Sequence, residues 1–101
     1  MHIFAAIADD TRRAVLETLS RGECSVTDLV RRFGTSQPAM SRHLRVLRDQ
    51  RLVCTRADGQ RRMYRIDPRG FRDLDSWLET YRAFWTERLD AFNDFLDQHP
   101  D

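Results

Sequence analysis

The side chains with the clearest chemical potential are arginines crowded into the middle of the chain. The stretch TSQPAMSRHLRVLRDQRLVCTRADGQRRMYRID, residues 35–67, holds eight arginines and three aspartates. Guanidinium groups stay charged at physiological pH and donate forked hydrogen bonds that match phosphate oxygens. A dense cluster of them beside polar residues such as Gln37 and Ser41 indicates contact with a nucleic acid. The competing interpretation is a solvated surface, which is the usual fate of a charged helix face.

Charge is distributed unevenly along the sequence. Residues 1–70 contain 14 arginines against 8 acidic residues, whereas residues 71–101 contain 3 arginines against 8 acidic residues. Lysine is absent, so the use of arginine partly reflects composition, and the positions of the arginines carry the information. The two parts of the chain are therefore expected to do different work.

Length and composition predict one ordered domain over residues 1–101. Hydrophobic residues make up 41% and charged residues 33% of the chain, which is typical of a folded protein. No apolar run approaches the ~20 residues of a membrane span, so no membrane partner is expected. The first residues, MHIFAAIADDTRR, lack the basic region of a secretory signal, which predicts a cytoplasmic protein.

Capping residues predict helices in the first half of the chain. Asp9 is a candidate N-cap, and Gly22 falls where a C-terminal glycine is common. Ser25 followed by Asp28 resembles a capping box, and Gly34 ends that short helix.

The next helix is predicted over residues 36–48. Ser36 is its candidate N-cap, and Pro38 falls in the first turn, where a missing amide proton costs nothing. Met40, Leu44 and Leu47 share one face at helical spacing, which predicts that this face is buried and that the polar face is free.

Residues 52–66 predict a β-hairpin. Asp58-Gly59 lies between two short β-prone runs, which is a strong local signal for a turn. Alternation places Leu52, Cys54 and Arg56 on one side. The tip is basic, so the hairpin is expected to approach the same partner as the preceding helix.

The last segment predicts a long amphipathic helix over residues 71–97. At 1.5 Å per residue it would extend roughly 40 Å, beyond the ~13 Å radius of gyration of a 100-residue domain. Its apolar face would then remain in water unless a second chain covered it, and a two-fold homodimer is the commonest solution. The residues expected at that interface are Ile3, Phe4, Trp77, Leu78, Tyr81, Phe84, Trp85 and Phe92.

Taken in order, these elements predict a winged helix-turn-helix: a mostly α fold with a small β-hairpin and the order α-α-α-α-β-β-α. In such a fold the helix 36–48 enters the major groove of double-stranded DNA. Gln37 suits adenine, and Arg42 or Arg45 suits guanine. The hairpin arginines suit phosphates. The predicted DNA-binding residues are Ser36, Gln37, Pro38, Ser41, Arg42, Arg45, Arg56, Arg61 and Arg62.

Three segments carry a family resemblance: ADDTRR, SQPAMSRHLRVLRDQRLV and GQRRMYRID. With them the sequence resembles the ArsR/SmtB family of bacterial winged-helix repressors over nearly its whole length. Asp10 stands where the family commonly has proline, and both residues suit the first turn of a helix. The resemblance implies a homodimer joined by its terminal helices that binds an operator of imperfect two-fold symmetry and blocks transcription, often of its own gene.

Many members of this family respond to metals, yet the expected ligands are missing from this sequence. Arsenic and lead/cadmium sensors carry Glu-Leu-Cys-Val-Cys-Asp-Leu, where this chain has ECSVTDL, so Ser25 and Thr27 occupy the cysteine positions. The zinc pattern of the last helix would place ligands at Trp77, Arg88 and Ala91, none of which can serve. The sequence therefore predicts neither a metal nor a cofactor.

Other functions stay open. Cys24 lies near a helix N-terminus, where the pKa of a thiol can fall, so a redox-responsive repressor using Cys24 or Cys54 is one alternative. A protein-interaction module acting through the aromatic last helix is another. An unknown inducer or a sequestering protein is compatible with either. No phosphate loop or activated nucleophile is visible in the sequence, so an enzyme is not expected.

Overall fold

A computed structural model describes residues 2–100, and the chain divides after Phe71 into two compact units. The elements follow one another as α1 (His2–Ile7), α2 (Asp10–Ser20), β1 (Cys24–Ser25), α3 (Val26–Phe33), α4 (Gln37–Asp49), β2 (Val53–Asp58), β3 (Arg61–Ile66) and α5 (Pro68–Gln98). None of the helices within residues 2–100 combines the length and the apolar character that a membrane crossing requires.

The core of the first unit is built from the helix faces and the sheet. Its apolar side chains are at most 9% exposed, and they occupy the positions that helical spacing predicts in α2, α3 and α4. They are Ile3, Ala6, Val15, Leu16, Leu19, Leu29, Met40, Leu44, Leu47, Leu52, Val53 and Met63.

Side-chain caps begin α2, α3 and α4, as predicted. The Asp9 carboxylate accepts a hydrogen bond from the Arg12 amide. Ser25 and Asp28 form a complete capping box at α3. Gly34 ends α3 with φ of 63°, in the left-handed region. Gly22 directly follows the C-cap residue Arg21, as predicted, and its amide donates to the Leu19 carbonyl in a tightened turn. Its φ is not in the left-handed region.

The sheet has three antiparallel strands in the order β1-β3-β2, one more than the predicted hairpin. Cys24 pairs with Tyr64 and Ser25 with Met63, so the segment before α3 joins the edge of β3. Two residues are too few for a periodic signal, which is why this strand escaped the sequence pattern. The hairpin itself runs from Val53 opposite Ile66 to Asp58 opposite Arg61.

The helix α5 begins at Pro68, three residues before the predicted start. Asp67 lies immediately before it and accepts a hydrogen bond from the Arg69 amide at 3.0 Å, as an N-cap does. Proline is well suited to the first helical position, so Pro68 begins the helix. Gly70 permits a close approach, since its amide donates to the Arg51 carbonyl at 2.8 Å.

Arg12 ties α4 to the first two helices. Its guanidinium donates to the carbonyls of Ala6 at 2.6 Å and Ala5 at 3.0 Å, which satisfies the last carbonyls of α1. The same group lies 3.3 Å from Nδ1 of His43 on α4. His43 is therefore a partly packed histidine that contributes to the position of α4.

The second unit is the remainder of α5, and one stripe of it is apolar and aromatic. Trp77 and Tyr81 have ring centroids 4.7 Å apart, and the Arg88 guanidinium lies 4.3 Å from the Phe84 ring centroid. On the polar side Arg82 pairs with Asp75 at 2.7 Å and with Glu79 at 2.5 Å. The stripe is exposed, with Trp85 at 56% and Phe92 at 57%.

Candidate nucleic-acid interface

The polar face of α4 is presented by a helix whose opposite face is fixed in the core. The Ser36 hydroxyl accepts a hydrogen bond from the Ala39 amide at 3.2 Å, so its role in the structure is to cap α4. Gln37 and Pro38 follow in the exposed first turn. Arg42 is exposed on the side opposite Met40 and Leu44, where a groove could receive it.

A second part of the α4 face looks toward β3. Ser41, Arg45 and Arg48 lie at helical spacing along it, and Arg62 and Tyr64 lie on the same side of β3. Together with Leu44 these residues line a cleft of about 190 Å³. The structure thus brings predicted residues of the helix and of the hairpin into one place, and it adds Arg48 and Tyr64, which are not among the predicted DNA-binding residues.

The wing is the hairpin formed by β2 and β3. Its arginines differ in whether an acidic residue of the same chain already pairs with them. Arg56 pairs with Glu23 at 2.7 Å, and this hydrogen bond holds the pKa of the Glu23 carboxyl below its ordinary value. Arg61 lies 3.4 Å from Asp58 across the turn. Arg62 makes no ion pair with any residue in the described range 2–100. Glu23 lies 33 residues from Arg56, so no local sequence pattern could predict this ion pair.

The environment of Cys24 raises the pKa of its thiol, whereas its position in the sequence suggested a lowered pKa. Burial raises the pKa of the Cys24 thiol, and the nearby Asp28 carboxylate acts in the same direction. The thiol is therefore held in its neutral, less nucleophilic form. Cys24 sits on β1 beside the capping box rather than at the open end of a helix, which explains why the expected lowering does not occur.

Cys24 and Cys54 lie on the two outer strands of the sheet. Strand β3 runs between them, with Tyr64 opposite Cys24 and Arg65 opposite Cys54. Two strand spacings of about 4.8 Å separate their backbones by roughly 10 Å, beyond the ~7 Å limit for a disulfide. Cys54 Sγ instead accepts a hydrogen bond from Arg65 Nε at 3.4 Å.

Neither of the two metal sites known from the resemblance fits the residues present. Ser25 is 5% exposed and committed to the capping box of α3, and Thr27 supplies no soft ligand. At the α5 position, Trp77, Arg88 and Ala91 cannot coordinate zinc. Within the described part of the chain, no three residues of the types His, Cys, Asp or Glu are grouped as metal ligands would be.

The residues predicted at a dimer interface fall into two groups. Ile3 is 4% exposed and already belongs to the core of the first unit, so it has little surface left for a second chain. The others are exposed: Phe4, Trp77, Leu78, Tyr81, Phe84, Trp85 and Phe92. Leu89, Phe95 and Leu96 extend the same apolar stripe of α5 and are exposed as well.

Comparison with known proteins gives a consistent result. Residues 9–55 match the family described as "Bacterial regulatory protein, arsR family". The HTH-type transcriptional regulator Rv2034 of Mycobacterium tuberculosis is 43% identical over 95% of this chain and 87% of its own length. The transcriptional repressor SdpR of Bacillus subtilis is 30% identical over 76% of this chain and 86% of its own.

A solved structure agrees with these sequence matches. The ArsR-like transcriptional regulator from Rhodococcus sp. RHA1 superposes with a TM-score of 0.73 at 31% identity, covering 93% of this chain and 89% of its own. The winged helix-turn-helix fold predicted from the sequence is therefore confirmed. The chain is not an enzyme but a DNA-binding transcriptional regulator, and it belongs to the ArsR family of bacterial regulatory proteins.

Proposed function

We propose that the protein is a transcriptional repressor that binds an imperfect inverted repeat in double-stranded DNA as a homodimer. The observation that carries this proposal is the geometry of α4, whose inner face is locked in the core while Gln37 and Arg42 project from its outer side next to a basic wing. A helix held in this way fits the major groove. The relatives named as repressors support the direction of regulation.

The proposed DNA contacts are of two kinds, those to base edges and those to backbone phosphates. Gln37 and Arg42 are assigned to base edges, where an amide suits adenine and a guanidinium suits guanine. Arg56, Arg61 and Arg62 are assigned to phosphates, where they supply affinity without reading sequence. Ser36 and Pro38 shape the start of α4 and bring their backbone near the DNA. Such a protein works where the chromosome is, which agrees with the predicted cytoplasmic location.

The homodimer is assigned to the apolar stripe of α5, together with Phe4. The stripe presents large aromatic side chains that are 39% to 57% exposed, more apolar surface than an isolated domain commonly leaves in water. A dimer that binds an inverted repeat needs two copies of α4 in successive major grooves, roughly 34 Å apart. The signal that ends repression is assigned to a small molecule or a sequestering protein rather than to a metal.

The test is a titration of the purified protein with the DNA upstream of its own gene, at two salt concentrations, with unrelated DNA as the control. Fluorescence anisotropy should show specific binding that weakens steeply with salt. Arg42→Ala should relax base preference and cost about 1–3 kcal/mol of binding free energy, whereas Arg61→Ala should weaken all sequences alike. Absence of any specific binding would favour a protein-interaction module instead.

The dimer is tested separately. Trp85→Ala should shift the sedimentation of the free protein toward the monomer and reduce operator affinity with it, because one half-site binds far more weakly than two linked ones. Glu87→Ala, which changes the same helix outside the apolar stripe, is the matched control. A Trp85→Ala protein that remained dimeric with unchanged affinity would remove α5 from the interface.

A further inference from the structure

We propose that the cleft between α4 and β3 is a binding site for a phosphodiester of the DNA backbone, with Arg48 and Tyr64 as positioning residues. This inference rests on the proposed function. It adds a specific binding site for one phosphate, and it assigns Ser41 to backbone contact together with Arg45, which the sequence offered as an alternative to Arg42 for guanine. The cleft measures about 190 Å³ and is lined by Ser41, Leu44, Arg45, Arg48, Arg62 and Tyr64.

The charge of the lining points to an anion. Three of its six residues are arginines, and no carboxylate lines the cleft. Elsewhere in the chain arginines near acids are paired, as Arg56 is with Glu23 and Arg69 with Asp67. Over the described residues 2–100, by contrast, Arg45, Arg48 and Arg62 form no ion pair or hydrogen bond. Three cations gathered without a counter-charge repel one another, so an anion between them relieves that repulsion.

The neutral groups of the lining suit a phosphate in particular. Ser41 and Tyr64 are half-buried residues, and the hydroxyl of neither finds a hydrogen-bond partner in the part of the chain that the structure describes. A hydroxyl can donate to a phosphate oxygen, and guanidinium groups match phosphate oxygens in pairs. The cleft thus offers donors from two elements that meet at one point.

The placement of the cleft explains what the contact would do. Ser41, Arg45 and Arg48 belong to α4, and Arg62 and Tyr64 belong to the wing strand β3. A phosphate held by both would fix the angle at which α4 enters the groove, because contacts to the backbone set register and orientation. Arg42 and Gln37 lie outside the cleft and would then read the base edges.

The experiment uses the full chain and operator DNA in which single phosphates are replaced, one at a time, by neutral methylphosphonate. Wild-type protein should lose about tenfold in affinity at one position per half-site. Arg48→Ala and Tyr64→Phe should bind unmodified DNA more weakly than wild type, yet lose less than wild type does at that position, since part of the contact is already absent. Arg48→Ala should also lower the salt slope by about one.

Arg21→Ala is the matched control, because it removes the same charge from an exposed site that does not line the cleft. Full sensitivity of Arg48→Ala to the same methylphosphonate would overturn the inference while leaving specific operator binding intact. Loss of base preference in Arg45→Ala, in the manner of Arg42→Ala, would also overturn it. Failure of the wild-type protein to bind any operator would instead reject the proposed function, and the phosphodiester site with it.

Inorganic phosphate separates a DNA backbone contact from a site for a small phosphorylated molecule. Added phosphate at constant ionic strength should compete weakly and equally against wild type and Arg21→Ala. Strong competition at micromolar phosphate, lost in Arg48→Ala, would mean that the cleft serves a free phosphorylated ligand and would overturn the assignment to DNA.

Discussion

Gly70 lies so close to the backbone of Arg51 that no side chain fits at position 70. A Cβ built on Gly70 would stand 2.4 Å from the Arg51 carbonyl oxygen and 2.6 Å from that of Gln50. These are backbone atoms, so they cannot turn aside as a flexible side chain would. The contact joins the first turn of α5 to the segment that follows α4.

Gly70→Ala should therefore destabilise the protein by about 1–3 kcal/mol, the usual cost of overpacking. Gly22→Ala is the control, since nothing lies within 4 Å of its Cβ and its φ is not in the left-handed region. Urea unfolding followed by circular dichroism at one protein concentration compares the two. Equal stability of the variants would show that the backbone after α4 can shift to accommodate a side chain at position 70 with little cost in free energy.

Acid should weaken the start of α5 through Asp67. A hydrogen bond from the Arg69 side chain and another from its amide hold the pKa of the Asp67 carboxyl below its ordinary value. A lowered pKa in the folded state contributes stability above about pH 4, and this contribution is lost as the pH falls through the folded pKa. The thermal midpoint should drop over that range.

Asp67→Asn isolates the charge, because asparagine can still cap a helix. The thermal midpoint of the variant should be lower than that of wild type at pH 7 and should fall less on acidification. The two plots of thermal midpoint against pH should therefore converge in acid. Asp73→Asn, at an exposed position on α5, should follow the wild-type profile. A constant gap between Asp67→Asn and wild type down to pH 3 would contradict the assignment.

Oxidation should not join the two cysteines within one chain, because β3 separates Cys24 from Cys54. After treatment with diamide and alkylation, mass spectrometry under denaturing conditions should find no intrachain bond. In a Cys54→Ser variant, the remaining Cys24 should react with iodoacetamide at pH 7 more slowly than a free thiol, because its pKa is raised. Rapid labelling of Cys24 in folded protein would restore the redox alternative.

Glu23 should restrain the wing by holding Arg56. Glu23→Gln removes the charge that pairs with Arg56 and leaves the guanidinium free for a phosphate. Binding to DNA of any sequence should tighten several-fold at low salt, and the salt slope should rise by about one. Glu17→Gln loses the same charge from an exposed position on α2. An equal gain in both variants would mean that only net charge matters.

Much of the fold and part of the site could be predicted from the sequence because their signals are local. Ser25 and Asp28 are three residues apart, as a capping box requires, and Asp58-Gly59 is a turn in its own right. The apolar spacing of Met40, Leu44 and Leu47 fixes which side of α4 is buried, and hence which side is free. Helical periodicity and turn-forming residues involve only a few neighbouring positions, so both can be recognised in the sequence without a structure.

Contacts between distant residues were decided only by the tertiary structure. The pairing of β1 with β3, the bond from Arg12 to His43 and the ion pair from Glu23 to Arg56 each join positions more than 30 residues apart. The tertiary structure also decided the cleft that unites Arg48 with Tyr64, and the raised pKa of Cys24, which follows from burial. Sequence determined which faces and caps each segment would have, whereas packing decided which of them meet, because burial and charge pairing depend on neighbours that no local pattern encodes.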